Sequence, residues 1–513
     1  MKMNRTKNTT RNIFWGMVNK LITLLLPFLL RTIMIKVMGS DYLGLNSLFT
    51  SILQVLNLAE LGFSTAVVFS MYKPIADDDK PTICALMNFY KKVYRVIGTV
   101  VLVIGLALLP FIKYLIKGSC PSDINIYILY LIYLFNTSIS YFMFAYKSSL
   151  LNAHQRNDIT SNINSIVYIA QYGIQIALII LFKNYYIYII VQPVFTVVNN
   201  LFTAYIAKKK YPEYICRGSL DKSLLAQIKK KVGGLMIQRL CSTTRNALDS
   251  IVISSFLGLT AVTMYGNYYY IVSAVHGVLG IIQNSLSAGI GNSIAVESAE
   301  KNHNDMHKFI FIYAWISGWC TICMACLYQP FMRIWMGESL MFPVHIMLTF
   351  CLYFYSMCMG DIRSLYTTGA GLWWEGRYRS IMESLANIVL NIVLGYFFGV
   401  FGVILSTLIS ILIVNFGYGS HIVFKYYFKN GRLKYFFAKH ALYAAVTLAV
   451  GAVTFFLCGL ISINKTADLI IKALICILIP NLLYFAVYSR TKMFKESIKI
   501  GKNVLNVVKK RTA

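Results

Sequence analysis

The sequence predicts an all-α polytopic membrane protein, and its composition and its hydropathy pattern are the observations that do so. Hydrophobic residues make up 58% of the 513 residues and charged residues only 13%, whereas soluble domains carry roughly 45–50% apolar and 25% charged residues. The apolar residues form long blocks without a charge, such as 124–146 and 441–463. Blocks of about 18 or more such residues cross the hydrocarbon layer as helices, whereas membrane β-barrels show short alternating segments.

Apolar blocks separated by polar breaks predict about fourteen transmembrane helices. They lie near 12–38, 42–71, 88–116, 124–150, 160–182, 185–207, 233–256, 259–290, 309–334, 343–369, 378–400, 402–424, 437–460 and 467–488. Basic residues gather in every second connection, including 73–92, 147–156 and 208–231, so the positive-inside rule places both termini in the cytoplasm. This distribution accounts for the net charge of +29 and excludes a nucleic-acid partner.

The spans divide into two halves of six with a final pair. Short similar segments, YLGL at 42–45 and LGL at 257–259, open the second and eighth spans. Six spans in each half give the halves the same orientation, as parallel repeats with a substrate site between them. The predicted segments are a cytoplasmic N-terminus at 1–11, an N-lobe at 12–207, a linker at 208–232, a C-lobe at 233–424, spans thirteen and fourteen within 425–488, and a tail at 489–513.

The tail is basic and amphipathic, a pattern typical of a helix that lies on the inner leaflet against anionic lipids. A solvated disordered end is the alternative.

The eleven cysteines are scattered, and most of them lie in apolar stretches. Cys320, Cys323 and Cys326 have CxxCxxC spacing, but no histidine or acidic residue lies close to them in the sequence. We therefore expect buried free thiols, with no metal centre, no cofactor and no disulfide framework.

Cations inside the membrane indicate the substrate site, because a charge in a span is costly and usually faces the bundle interior. Lys20 and Arg31 lie in span one and are eleven residues apart, which puts both on one helix face. Arg239 and Arg245 lie in span seven, with Asp249 four residues after Arg245. These four cations would bind an anionic head group. Alternatively, Arg245 and Asp249 neutralise each other, and Arg239 anchors the helix at the interface.

Polar stripes in spans two, five and eleven indicate a hydrated cavity or, for any single residue, interhelical hydrogen bonding. The stripes are Asn46, Thr50, Gln54, Asn57, Glu60 and Ser64; Ser161, Asn164, Tyr168, Gln171 and Gln175; and Glu383, Asn387 and Asn391.

Glu60, Asp249 and Glu383 are candidates for coupling to H⁺ or Na⁺. His276 is a lone histidine in span eight, which is either buried with its bonds satisfied or a proton relay. Asp361 is a gate candidate, or it forms a surface pair with Arg363.

The N-terminal part of the chain resembles the polysaccharide repeat-unit flippases of the multidrug/oligosaccharidyl-lipid/polysaccharide exporter (MOP) superfamily. The residues that carry this resemblance are NIFWG at 12–16, the run from Arg31 to Gly39, YLGL at 42–45, AELG at 59–62 and YKPIAD at 72–77. The resemblance extends over roughly residues 10–430.

This resemblance implies twelve helices in two lobes around a V-shaped cavity, plus an optional final pair, in the cytoplasmic membrane of a bacterium. It implies alternating access that carries an undecaprenyl-pyrophosphate-linked oligosaccharide to the outer leaflet for capsule, exopolysaccharide or O-antigen synthesis. Membrane lipids, a polysaccharide polymerase and other assembly proteins would be its partners.

Two other classes of function compete with the flippase. A multidrug or cation antiporter of the same superfamily would favour an acidic lumen, whereas the residues above are mostly cationic. A membrane glycosyltransferase or polymerase usually needs a sizeable outer loop, and the predicted outer connections are short. An ATP-driven exporter would need a GxxxxGK[ST] loop, which this chain lacks.

Overall fold

The computed structural model describes residues 5–57, 63–118, 120–226, 228, 247–429, 431–461 and 464–498. These residues are almost entirely helical. Contacts within the chain divide it into two compact units, Met1–Thr263 and Met264–Ala513. The predicted lobe limits, including the linker at 208–232, remain predictions.

The first unit contains nine helices among its described residues and the beginning of a tenth. They are α1 (Arg5–Val37), α2 (Ser40–Leu56), α3 (Phe63–Ala76), α4 (Lys80–Leu108, continued by a 3-10 turn at Leu109–Leu115), α5 (Ile126–Phe142), α6 (Ser148–Ala153), α7 (Asn157–Phe182), α8 (Tyr185–Lys210), α9 (Ala247–Leu257) and α10 (Leu259–Val296). Helix α1 packs along α7, and α5 packs against both α4 and α8.

The second unit contains most of α10 and the helices that follow it. They are α11 (Ala299–Trp335), α12 (Val344–Met359), α13 (Asp361–Gly369), α14 (Arg377–Ser410), α15 (Gly419–Val423), α16 (Leu433–Gly459) and α17 (Lys465–Tyr488). Two π-helical segments, Ile411–Tyr418 and Phe424–Phe428, flank α15. Helix α11 packs against α12, α16 and α17.

The prediction of a helical polytopic membrane protein is confirmed. In the described part of the chain, 10 helices are long and apolar enough to cross a membrane, or 11 if a bent pair is one span. That pair is Ile126–Phe142 and Ala145–Ala153, which meet at 49° where the sequence predicts one straight span. Helix α14 has a non-helical break at Gly399 (φ 60°, ψ −139°), close to the predicted division between spans eleven and twelve.

A glycine with positive φ lies in the turn at each of the two similar segments, YLGL at 42–45 and LGL at 257–259. Gly39 (φ 108°) joins α1 to α2, and Gly258 (φ 87°) joins α9 to α10. Positive φ is cheap only for glycine. Glycine therefore supplies the positive-φ backbone between consecutive helices at both places. The duplication itself remains a prediction.

Candidate functional site

The predicted cations of span one lie on α1, a helix that has no acidic residue anywhere along its length. The Lys20 side chain is exposed and forms no ion pair with any residue that the structure describes. Arg31 is half-buried and lies within electrostatic range of the Tyr188 hydroxyl on α8. Helix α1 thus carries positive charge that is not cancelled by acids of its own.

Neutral side chains form the polar centre of the first unit, which we call the tyrosine centre. The Tyr133 hydroxyl on α5 donates to Asn46 Oδ1 on α2 at 2.5 Å and lies 3.0 Å from the Tyr185 hydroxyl on α8. One layer away, the Tyr141 hydroxyl donates to Asn57 Oδ1 at 3.0 Å. Asn46 and Asn57, two members of the stripe predicted in span two, therefore join helices, which is the interhelical alternative for such residues.

Residues of the polar stripe predicted in span five also form hydrogen bonds between helices. Gln175 Nε2 donates to the Tyr188 carbonyl at 3.3 Å, and Asn164 Oδ1 accepts from Asn199 Nδ2 at 3.0 Å. Both bonds hold α7 to α8.

A carboxylate forms the polar centre of the second unit, which we call the Asp361 centre. Asp361 Oδ2 accepts from Tyr313 Oη at 2.6 Å and from Gln283 Nε2 at 2.7 Å, and it lies 3.1 Å from His276 Nε2. The Cys358 thiol belongs to the same cluster, with its sulfur within 4.8 Å of the ligand atoms of His276 and Asp361.

The local sequence explains how these groups meet. Gly360 ends α12, so Asp361 begins α13, where the helix dipole favours a negative charge. His276 and Gln283 are seven residues apart on α10 and therefore share a face. Helix α11 supplies Tyr313.

The Asp361 centre has the chemistry of a proton or cation site. An ionised carboxylate only accepts hydrogen bonds, and the groups around it include an imidazole, whose ring nitrogens can donate a hydrogen bond or bind a cation. The side chains of His276 and Asp361 are 27% and 16% exposed, so the pair is not completely enclosed by the packed helices.

A second charged cluster in this unit is more deeply buried, and we call it the arginine network. Arg363 Nη2 donates to Asn415 Oδ1 at 2.9 Å and to its carbonyl at 3.0 Å. Asn415 Nδ2 donates to Glu383 Oε2 at 2.9 Å, and Arg379 Nη1 lies 3.2 Å from the same oxygen. Asn415 lies in the π-helical segment Ile411–Tyr418, and such segments are frequent at functional sites.

Arg363 is only 2% exposed. Space for its guanidinium depends on Gly419, where a Cβ would lie 2.7 Å from Arg363 Nη1. The prediction of a surface pair between Asp361 and Arg363 is wrong, because Asp361 bonds to His276, Gln283 and Tyr313 and Arg363 turns inward.

The predicted site residues thus have different outcomes. The structure brings His276 and Asp361 together, bonds Glu383 into the arginine network, and buries Asp249 in α9. Arg239, Arg245 and Glu60 lie outside the described residues. Gln283, Tyr313 and Asn415 were missed. The seven-residue spacing from His276 to Gln283 was the one signal that indicated any of them.

A bundle of apolar helices long enough to cross a membrane, with charged clusters buried among them, defines a multi-pass membrane protein. A family model described as "Polysaccharide biosynthesis protein" matches residues 9–286, more than half of the chain. The chain belongs to this family.

Solved transporter structures have the same fold. The lipid II flippase MurJ in an inward closed conformation matches with a TM-score of 0.65 and 15% identity, covering 93% of this chain and 99% of that chain. An inward-facing multidrug resistance MATE family transporter of the MOP superfamily matches with a TM-score of 0.62 and 16% identity, covering 80% and 96%. A MOP superfamily transporter from Pyrococcus furiosus, described as having a binding pocket of reverse polarity, matches with a TM-score of 0.55 and 15% identity. The match covers 82% of this chain and 96% of that chain.

No curated protein matches the sequence significantly. The predicted membership of the MOP superfamily is confirmed by the family match and by the fold together.

Proposed function

We propose that this protein is a flippase for polyprenyl-pyrophosphate-linked oligosaccharide repeat units. It moves them by alternating access from the cytoplasmic to the outer leaflet of a bacterial cytoplasmic membrane, with both termini in the cytoplasm. The repeat units then enter capsule, exopolysaccharide or O-antigen assembly, where a polymerase is the expected partner.

The acid-free cationic helix α1 is the observation that carries this proposal. The pyrophosphate that joins the lipid to the sugar is a compact dianion, and Lys and Arg bind its oxygens through charge-assisted hydrogen bonds. Lys20 is exposed and forms no ion pair in the described part of the chain, so a ligand does not have to displace an acid from it. The family match supports polysaccharide synthesis as the process that the substrate serves.

The proposed direction of transport, from the cytoplasm outwards, suits a negatively charged substrate. An anion that leaves an inside-negative cell gains about 2.3 kcal/mol per charge per 100 mV. Export of the lipid-linked anion is therefore favourable without ATP.

The test is reconstitution of the protein into liposomes, with translocation of a fluorescent polyprenyl-pyrophosphate-linked oligosaccharide as the readout. We expect Arg31→Ala and Lys20→Ala each to slow translocation by about tenfold or more, equivalent to ~1.4 kcal/mol of lost stabilisation. Lys36→Ala is the matched control, because Lys36 is an exposed cation of the same helix near its end, where it snorkels to the interface. Equal translocation by all four proteins at equal insertion contradicts the assignment of α1.

A cation-coupled antiporter is the second candidate, and the Asp361 centre is the observation that favours it. The same liposomes distinguish the two functions when an H⁺ or Na⁺ gradient is imposed. Uptake of a small cationic drug, with no movement of the lipid-linked oligosaccharide under any gradient, selects the antiporter.

A further inference from the structure

Three cysteines from three different helices meet in the second unit. The sulfur atoms of Cys326 (α11), Cys458 (α16) and Cys476 (α17) all lie within 4.8 Å of one another. All three side chains are buried, at 5%, 3% and 1% exposure. We refer to them as the thiol cluster.

The position of Cys476 follows from a proline one turn later. In a helix, the Cys476 carbonyl would accept a hydrogen bond from residue 480, but Pro480 has no N–H to donate. Side chains of α11 supply the missing donor. Trp319 Nε1 donates to the Cys476 carbonyl at 2.8 Å, and the Cys323 thiol lies 3.8 Å from the same oxygen. These bonds hold α17 against α11 at the level of the cluster, so the sulfur of Cys476 is presented to Cys326 by a rigid backbone.

A charged pair lies beside the thiols. Asp468, Lys472 and Cys476 are spaced by four residues and share a face of α17. Lys472 Nζ bonds to Asp468 Oδ2 at 2.8 Å and lies within electrostatic range of the Cys458 sulfur. Asp468 Oδ1 is buried without a hydrogen-bond partner among the described residues. The pair is formally neutral, so the charge that would stabilise a thiolate in this cluster comes from the bound metal ion itself.

We propose that the thiol cluster binds one thiophilic metal ion, with three-coordinate Cu(I) as the best fit. Thiolate sulfur selects soft ions, whereas Mg²⁺ and Ca²⁺ take oxygen ligands. A metal–sulfur bond of about 2.3 Å places trigonal ligands roughly 4.0 Å apart, so the observed sulfurs need to move little. Structural zinc sites are four-coordinate, and the cluster offers three sulfurs, which favours Cu(I) over Zn²⁺.

Binding exchanges protons for metal without a redox step. Each thiol that becomes a ligand releases its proton to solvent, and the ion enters as Cu(I). The bound ion would fasten α16 and α17, the final pair of helices, to α11.

Anaerobic titration with Cu(I) against a competing Cu(I) chelator tests the proposal on the purified full chain in detergent. We expect the wild type to bind one Cu(I) per chain and to show only sulfur ligands by X-ray absorption. Binding should weaken by about a hundredfold or more in Cys458→Ala and in Cys476→Ala, because loss of an outer-shell partner alone typically costs about 10–100-fold. Cys351→Ser is the matched control, since Cys351 is also buried in this unit but lies outside the cluster.

A measurement on the wild type alone guards against variants that fail to fold. Cu(I) should raise the thermal unfolding midpoint of the wild type, because a ligand that binds only the native state stabilises it. The proposal is overturned if the variants bind Cu(I) as tightly as the wild type, or if Zn²⁺ binds and Cu(I) does not. It is also overturned if two of the three cysteines prove to be disulfide-bonded in protein isolated from cells.

Discussion

The tyrosine centre of the first unit and the Asp361 centre of the second unit are hydrogen-bonded through different kinds of acceptor. In the first unit, the tyrosine centre joins Tyr133 to Asn46 and Tyr185 through neutral hydroxyl and amide groups. In the second unit, the acceptor of the Asp361 centre is a carboxylate, and the arginine network lies in the same unit. The first unit instead carries cationic side chains on α1 that are half-buried or exposed.

The neutral groups of the tyrosine centre hold helices together, whereas the charged groups of the Asp361 centre can also exchange an ion. A neutral pair changes little with pH or ion concentration, and it stabilises by about 0.5–1.5 kcal/mol. A charged centre is strongly stabilised by its donors and responds to ions. We therefore infer that the first unit supplies the contacts for an anionic substrate and the second unit supplies the response to ions.

Removing the buried guanidinium should have the largest effect on stability. Arg363→Ala leaves the Asn415 side chain and carbonyl without their donor in the core, and we expect a loss of about 1–3 kcal/mol for each of these two acceptors. Arg333→Ala is the control, because Arg333 and Glu338 form a pair that is 46% and 69% exposed and contributes about 0–1 kcal/mol. Thermal unfolding in detergent measures both, and equal losses would show that Arg363 is not part of a stabilising network.

A matched pair of tyrosine substitutions compares the two centres directly. Tyr313→Phe removes a hydrogen bond to a carboxylate and should cost ~1.5–3 kcal/mol, whereas Tyr133→Phe removes one to a neutral amide and should cost ~0.5–1.5 kcal/mol. Denaturation of the two variants beside the wild type gives both values. A larger loss for Tyr133→Phe would contradict the expectation that a carboxylate acceptor makes the Tyr313 hydrogen bond the stronger of the two.

The smallest expected effect is on the pH dependence of stability. It involves His154, a histidine of the first unit that lies outside the spans. Burial lowers the pKa of His154 from its ordinary value of 6.5, and its ring lies 4.1 Å from that of Tyr211. Because the folded state binds fewer protons than the unfolded state, the neutral ring's contribution is fully present above pH 6.5 and declines as pH falls toward the lowered pKa.

His154→Phe keeps the ring packing and removes the titration. We expect the thermal midpoint of this variant to fall less than that of the wild type between about pH 7.5 and about pH 5.5. An identical fall in both proteins would assign the pH dependence to other groups.

Part of the candidate site could be predicted from the sequence. His276, Asp361 and Glu383 were identified because an ionisable residue inside a span is costly and needs a partner. Their partners were not identified, since Asp361 is 85 residues from His276 and 48 from Tyr313 along the chain. The cysteines show the same limit. The local spacing at Cys320, Cys323 and Cys326 predicts no metal centre, and the other sulfurs of the proposed site come from α16 and α17.

The sequence by itself determined the class of protein, an all-α polytopic membrane protein, because the free energy of inserting a helix is summed over about 20 contiguous residues. Its N-terminal motifs also indicated the family. The tertiary structure alone decided which polar groups meet. It paired His276 with Asp361 rather than leaving it alone, turned Arg363 inward, and brought Cys326, Cys458 and Cys476 together. Those outcomes depend on which faces of distant helices pack against each other, and hydropathy along the chain contains no information about that pairing.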